Sequence, residues 1–141
     1  MKKRFALVLV LALALCFAGC GPAKTVTLDF PFEPSEISSL EISRNTAAGA
    51  PEEMEGRSLD DPESIRTLYE KFENLQLEEK ELEPSEGAMV TSFLFQLADG
   101  SSYDLEYSGY GVKKGMLVSE AGGFAYFTKA DIGGFWNLIA E

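Results

Sequence analysis

The stretch TSFLFQLADGSSYDLEYS, residues 91–108, carries the clearest structural signal in the chain. Apolar and polar residues alternate on both sides of Asp99-Gly100, a dipeptide that tolerates the positive φ angles of a tight hairpin turn. The alternation gives each strand one buried face and one wet face. We therefore predict an antiparallel β-hairpin at the centre of the fold.

Other strand-like segments lie on both sides of this hairpin. Upstream, residues 25–30 and 37–44 alternate in the same way, and Leu77 and Leu82 suggest a further short strand. Downstream, residues 112–118 and 124–127 are bounded by glycines and have strand character. These segments extend the hairpin into a larger antiparallel sheet.

Two segments show helical spacing. Asp61-Pro62-Glu63 is a strong start signal, and apolar residues follow with a helical period over about 14 residues. Thr128, with Asp131 as a weak capping box, predicts a last helix whose Gly133-Gly134 pair weakens it. The order is two strands, a helix, a three- or four-stranded meander and a helix. It predicts an α+β fold, mainly an antiparallel sheet with two helices packed on one face.

Two polar segments have no apolar period. Residues 45–56 contain glycine, proline and three glutamates, and we predict a solvated connecting loop; a recognition loop is the functional alternative. Residues 76–86 are dense in glutamate, and carboxylates can bind calcium. The segment has no calcium-loop spacing, so a solvated acidic surface is the favoured interpretation and cation binding the alternative.

The first residues form a targeting segment. A basic start at residues 1–4 precedes the apolar run 5–17, which is too short to span a bilayer. Ala18-Gly19-Cys20 follows, and Phe17-Ala18-Gly19-Cys20 resembles the lipobox of bacterial lipoproteins. The resemblance implies that Cys20 carries a lipid and becomes the first residue after cleavage. The alternative is an ordinary signal peptide that leaves Cys20 as a free thiol.

The lipoprotein resemblance divides the chain into three parts. Residues 1–19 are the signal peptide, 20–24 a lipid-anchored tether, and 25–141 a single extracytoplasmic domain. The expected localisation is the extracytoplasmic face of the cell membrane. In general layout only, the domain resembles small uncharacterised bacterial lipoproteins.

Charge and residue types exclude several functions. The chain has 23 acidic and 12 basic side chains and a net charge of −11, which becomes −14 when Lys2, Lys3 and Arg4 leave with the signal peptide. Such a surface repels nucleic acid and favours cationic partners. The chain has no histidine, and its second cysteine, Cys16, lies in the signal peptide. Ser-His-Asp and Cys-His catalysis, the usual zinc sites and an internal disulfide are excluded, and we predict no cofactor.

Three classes of function remain open. We expect a non-enzymatic binding module with a protein partner in the cell envelope, and its candidate interaction surface is Tyr107 and Tyr110. One alternative is a small envelope hydrolase that uses carboxylates alone, for which Asp104 and Glu106 share the polar face of the hairpin. The other alternative binds a small ligand or cation between the sheet and the helices.

Overall fold

A computed structural model describes residues 23–46, 54–80 and 88–139 of the chain. They contain an eight-stranded antiparallel sheet of order β1-β4-β8-β7-β6-β5-β2-β3. The strands are β1 (Thr25–Val26), β2 (Ile37–Thr46), β3 (Glu55–Leu59), β4 (Leu77–Glu78), β5 (Met89–Leu97), β6 (Ser102–Gly109), β7 (Gly115–Ser119) and β8 (Phe124–Thr128). Helix α1 is Pro62–Glu73, and Pro34–Glu36 and Gly133–Ile139 are 3-10 helices. The predicted α+β class is confirmed, whereas the predicted signal peptide and Cys20 lie outside the described residues.

The predicted hairpin forms the middle of the sheet. β5 and β6 pair directly, with Phe93 opposite Leu105. Gly100 has a φ of 88°, and the Ser101 N–H donates to the Asp99 side chain at 2.9 Å. β5 also pairs along its length with β2, so it lies between two long strands.

Edge strand β3 was not predicted, because its sequence has no apolar alternation. Arg57 occupies a position opposite Ile42, on the side of the sheet that faces the core. Its guanidinium lies 4.3 Å from the centroid of the Trp136 ring and donates to the Trp136 carbonyl at 3.2 Å. The predicted loop 45–56 is strand at both of its ends, because β2 extends to Thr46 and β3 begins at Glu55. Residues 47–53 lie outside the described part.

Helix α1 begins where the sequence indicates. The Ser64 N–H donates to the Asp61 carboxylate at 2.8 Å, and this hydrogen bond lowers the pKa of Asp61. The helix ends at Glu73, slightly earlier than predicted. Its apolar stripe is buried and ends in Phe72, which is 0 % exposed.

The last predicted helix has a different form and a later start. Thr128 is the final residue of β8, and its hydroxyl accepts a hydrogen bond from the Ala130 N–H at 3.0 Å. The observed helix is a 3-10 helix that begins at Gly133, where Asp131 accepts from the Gly134 N–H at 3.0 Å. Paired glycines disfavour an α-helix at this point, which explains the late start.

The predicted strand over residues 25–30 is mostly unpaired. Only Thr25 and Val26 pair with β4, although Leu28 and Phe30 are buried as the alternation required. The apolar pattern therefore identified burial correctly but not hydrogen-bonded pairing.

One face of the sheet, which we call the core face, holds an aromatic cluster. Phe72 of α1 packs on Phe93 of β5 with ring centroids 4.9 Å apart and on Phe135 of the C-terminal 3-10 helix at 5.2 Å. Helix α1 and the C-terminal 3-10 helix therefore cover the same face, as predicted.

The buried Tyr69 hydroxyl of α1 donates to the Phe32 carbonyl at 2.7 Å. Burial, together with nearby carboxylates, raises the pKa of Tyr69 to about 12.

Candidate functional site

The opposite side of the sheet carries a depression with a volume of about 570 Å³. Side chains alternate along a strand, so residues between the core-face positions point to this second side. Helix α1 and the C-terminal 3-10 helix both lie on the core face. We call this second surface the open face, defined by Glu41, Ser43, Gly56, Ser58, Ser92, Leu94, Asp104 and Glu106.

Strand register arranges the open face in two rows. One row runs from Ser58 through Glu41 and Leu94 to Asp104, and the other runs from Gly56 through Ser43 and Ser92 to Glu106. Adjacent strands lie about 4.8 Å apart, so neighbours in a row are within side-chain reach. The result is a strip of carboxylates and hydroxyls around one central apolar residue, Leu94.

Charge on the open face has a single sign. Its eight residues include three carboxylates and no lysine or arginine. Arg57 also borders the depression, but its guanidinium is held against Trp136 on the core face. The open face is therefore complementary to a cationic partner.

Asp104 lies on the open face and also accepts two hydrogen bonds from the β7–β8 turn. One carboxylate oxygen accepts from the Glu120 N–H and the other from the Ala121 N–H, both at 3.0 Å. Burial raises the pKa of Asp104, but the two backbone N–H groups outweigh it and leave the pKa below its ordinary value. Asp104 thus anchors the β7–β8 turn and is poorly suited to act as a general acid.

The predicted carboxylate pair does share one face of the sheet. Glu106 lies two residues from Asp104 on β6 and is exposed. Glu41, on β2, is a third carboxylate that the sequence did not connect with them. Its proximity depends on the pairing of β2 with β5, which joins distant parts of the chain.

Tyr107 and Tyr110 differ in their surroundings. Tyr107 is 5 % exposed, and a Cβ atom at Gly115 would overlap its ring. It is a core residue, so the predicted interaction surface does not extend to it: Gly115 on the neighbouring strand β7 brings the backbone close enough to bury the ring. Tyr110 is half-buried at the β6–β7 turn, where its N–H donates to the Lys114 carbonyl at 2.9 Å.

Two glutamates of the acidic segment 76–86 form ion pairs with lysines. Glu78 pairs with Lys129 at 3.7 Å and Glu79 with Lys24 at 3.6 Å, whereas residues 81–86 lie outside the described part. Within residues 23–46, 54–80 and 88–139, no group of three acidic or other ligating side chains is placed to hold a metal ion. Over the same ranges, no helix has the length and apolar character needed to cross a bilayer.

Comparison with known proteins finds no matching family model, no matching curated protein and no matching solved structure.

Proposed function

We propose that the protein is a lipid-anchored lipoprotein on the extracytoplasmic face of the cell membrane, and that its open face binds a cationic protein partner without catalysing a reaction. The observation that carries the proposal is the composition of the open face, which combines three carboxylates with no cation around Leu94. Such a surface attracts a basic partner and orients it during encounter.

The N-terminal end of the fold supports the anchored arrangement. Thr25 pairs with Glu78, and the Lys24 carbonyl accepts from the Glu79 N–H at 2.9 Å. Only residues 21–23 then lie between Cys20 and Lys24, and the extended span from Cys20 to Lys24 is at most about 14 Å. With a lipid on Cys20, the domain would stay close to the bilayer surface.

The expected binding mode depends on many weak contacts. A single exposed ion pair contributes about 0–1 kcal/mol, so one carboxylate cannot hold a partner. On the open face, Glu41 and Glu106 provide negative charge on either side of Leu94, and Leu94 provides the apolar surface. Because exposed charges are screened within about 8 Å at physiological salt, we expect the complex to weaken as salt rises.

The anchor is tested on the native protein. We expect mass spectrometry to find Cys20 as the first residue, carrying a diacylglyceryl group, and Cys20→Ala to move the protein out of the membrane fraction. An unmodified Cys20 thiol or a retained leader in the purified native protein would contradict the anchor. The open face could still bind a partner in that case, so the two parts of the proposal fail separately.

The partner is tested by photocrosslinking on intact cells. A photoreactive residue replaces Leu94 on the open face, and a matched chain carries it at Arg66 on the exposed side of α1. We expect position 94 to capture a basic protein with a yield that falls at high salt, and position 66 not to capture it. Capture of the same protein from both positions, or of an acidic protein from position 94, would overturn the assignment.

A further inference from the structure

A second pocket, which we call the end pocket, lies between the sheet and the C-terminal 3-10 helix. Its volume is about 360 Å³, and its polar lining residues are Arg44, Tyr107, Asp131 and Asn137. Four glycines and Met89 complete the wall. Arg44 and Tyr107 flank Thr91 on the core face, so the end pocket is on the other side of the sheet from the open face.

Arg44 is a cation without a partner in the part of the chain that the structure describes. It is half-buried, yet it forms no ion pair there, even with Glu55, its neighbour on β3. Arg57 is also half-buried, but it differs from Arg44 because its guanidinium lies over the Trp136 ring and donates to the Trp136 carbonyl. Partial burial of an unpaired charge is unfavourable, and a guanidinium matches a carboxylate with two parallel hydrogen bonds. Arg44 is therefore suited to an anionic group of a ligand.

Asp131 supplies the opposite charge in a fixed orientation. One of its oxygens accepts from the Gly134 N–H at 3.0 Å, and a Cβ atom at Gly134 would lie only 2.7 Å from the other. Glycine at this position thus lets the carboxylate lie flat against the backbone. Asp131 and Arg44 line the same pocket but form no ion pair with each other, which leaves room between the two charges.

The Tyr107 hydroxyl is a further polar group at the end pocket. It donates to the Ala130 carbonyl over a long distance of 3.4 Å, so this hydrogen bond is weak. Burial, and then the charge of Asp131, raise the pKa of Tyr107. The hydroxyl therefore keeps its proton at neutral pH, and it donates to a ligand when it gives up its weak hydrogen bond to the Ala130 carbonyl.

We propose that the end pocket binds a small amino-carboxylate, with the ligand carboxylate on Arg44 and its ammonium group on Asp131. Asn137 and the Tyr107 hydroxyl are placed to add hydrogen bonds. The volume is at the lower end of the range of about 300–1,000 Å³ for ligand pockets and admits one small molecule. This inference does not depend on the open face or on its partner.

Calorimetric titration of the purified full chain tests the proposal. The probes are glycine, β-alanine and γ-aminobutyrate, in which the two charges are progressively farther apart. N-acetylglycine and glycinamide are controls that keep one charge each. We expect at least one of the three zwitterions to bind saturably and both controls to bind about tenfold more weakly or worse, the effect of losing one charged contact. If no zwitterion saturates below about 10 mM, or if the controls bind as well, the proposal is overturned.

Two variants assign the ends of the ligand. Arg44→Gln should weaken the zwitterion and N-acetylglycine, whereas Asp131→Asn should weaken the zwitterion and glycinamide but leave N-acetylglycine unchanged. Arg66→Gln, on the exposed side of α1, is the matched charge control. Arg44→Lys keeps the charge without the planar fork and should bind with intermediate affinity, which provides a second test if Arg44→Gln fails to fold. Unchanged zwitterion binding in Arg44→Gln would contradict the assignment.

Discussion

The two faces of the same strands differ in almost every physical respect. On β5, Phe93 and Phe95 are fully buried under helices and other aromatic rings, whereas Ser92 and Leu94, one position away, face the depression on the other side of the sheet. The core face holds the fold together by apolar burial, because the described residues contain no cysteine and therefore no disulfide. Among the described residues, the open face contributes little to packing, which leaves it available for function.

Phe72→Ala gives the sharpest test of the core face. The ring touches Phe93 and Phe135 and is 0 % exposed, so its removal leaves a cavity and should lower the free energy of unfolding by about 3–5 kcal/mol. Leu94→Ala is the open-face control and should cost less than about 1 kcal/mol, since the side chain is only half-buried. Urea denaturation measures both. Equal losses would remove the distinction between the faces.

Gly115→Ala should give the next largest effect. The new Cβ atom would overlap the Tyr107 ring on the core face, and overpacking of this kind costs about 1–3 kcal/mol. At Gly56, on the open face, the nearest atom to a new Cβ is 4.0 Å away, so Gly56→Ala should be neutral or slightly stabilising. In a Tyr107→Ala background, Gly115→Ala should lose most of its cost. If that cost persists, the clash with Tyr107 is not its cause.

Asp104→Asn should give a smaller, pH-dependent loss of about 1–2 kcal/mol at pH 7, because an amide cannot accept from both turn N–H groups. The pKa of Asp104 is lowered in the folded state, so its contribution is fully present above the ordinary pKa and disappears as the pH falls through the folded value. The stability difference between parent and variant should therefore narrow below about pH 4. Glu106→Gln, an exposed position on the same face, is the control and should cost little stability. A difference that is constant from pH 7 to pH 3 would show that the Asp104 charge is not responsible.

The sequence predicted the parts of the fold that depend on local pattern. The hairpin and helix α1 follow from alternation around Gly100 and from the cap at Asp61. β3 was missed because Arg57 fills a core-facing position, and its burial depends on Trp136, far away in the chain. The prediction of a C-terminal α-helix was wrong, because the low helix propensity of Gly133 and Gly134 outweighed the helical spacing of the apolar residues.

The candidate sites were less predictable than the fold. Alternation alone put Asp104 and Glu106 on one face, but the addition of Glu41 required the non-local pairing of β2 with β5. The end pocket joins Arg44 to Asp131 only through the arrangement of sheet and C-terminal 3-10 helix. No sequence motif or spacing predicts that Arg44 and Asp131 line the same pocket.

The most direct measurement for the open face is the crosslinking yield from position 94 in a chain that also carries Glu41→Lys and Glu106→Lys. Both carboxylates are exposed, so these changes should leave the fold intact while they replace two negative charges with positive ones. We predict that capture of the basic partner is lost while the circular dichroism spectrum matches that of the parent. An undiminished yield in the folded variant would contradict binding through the charge of the open face.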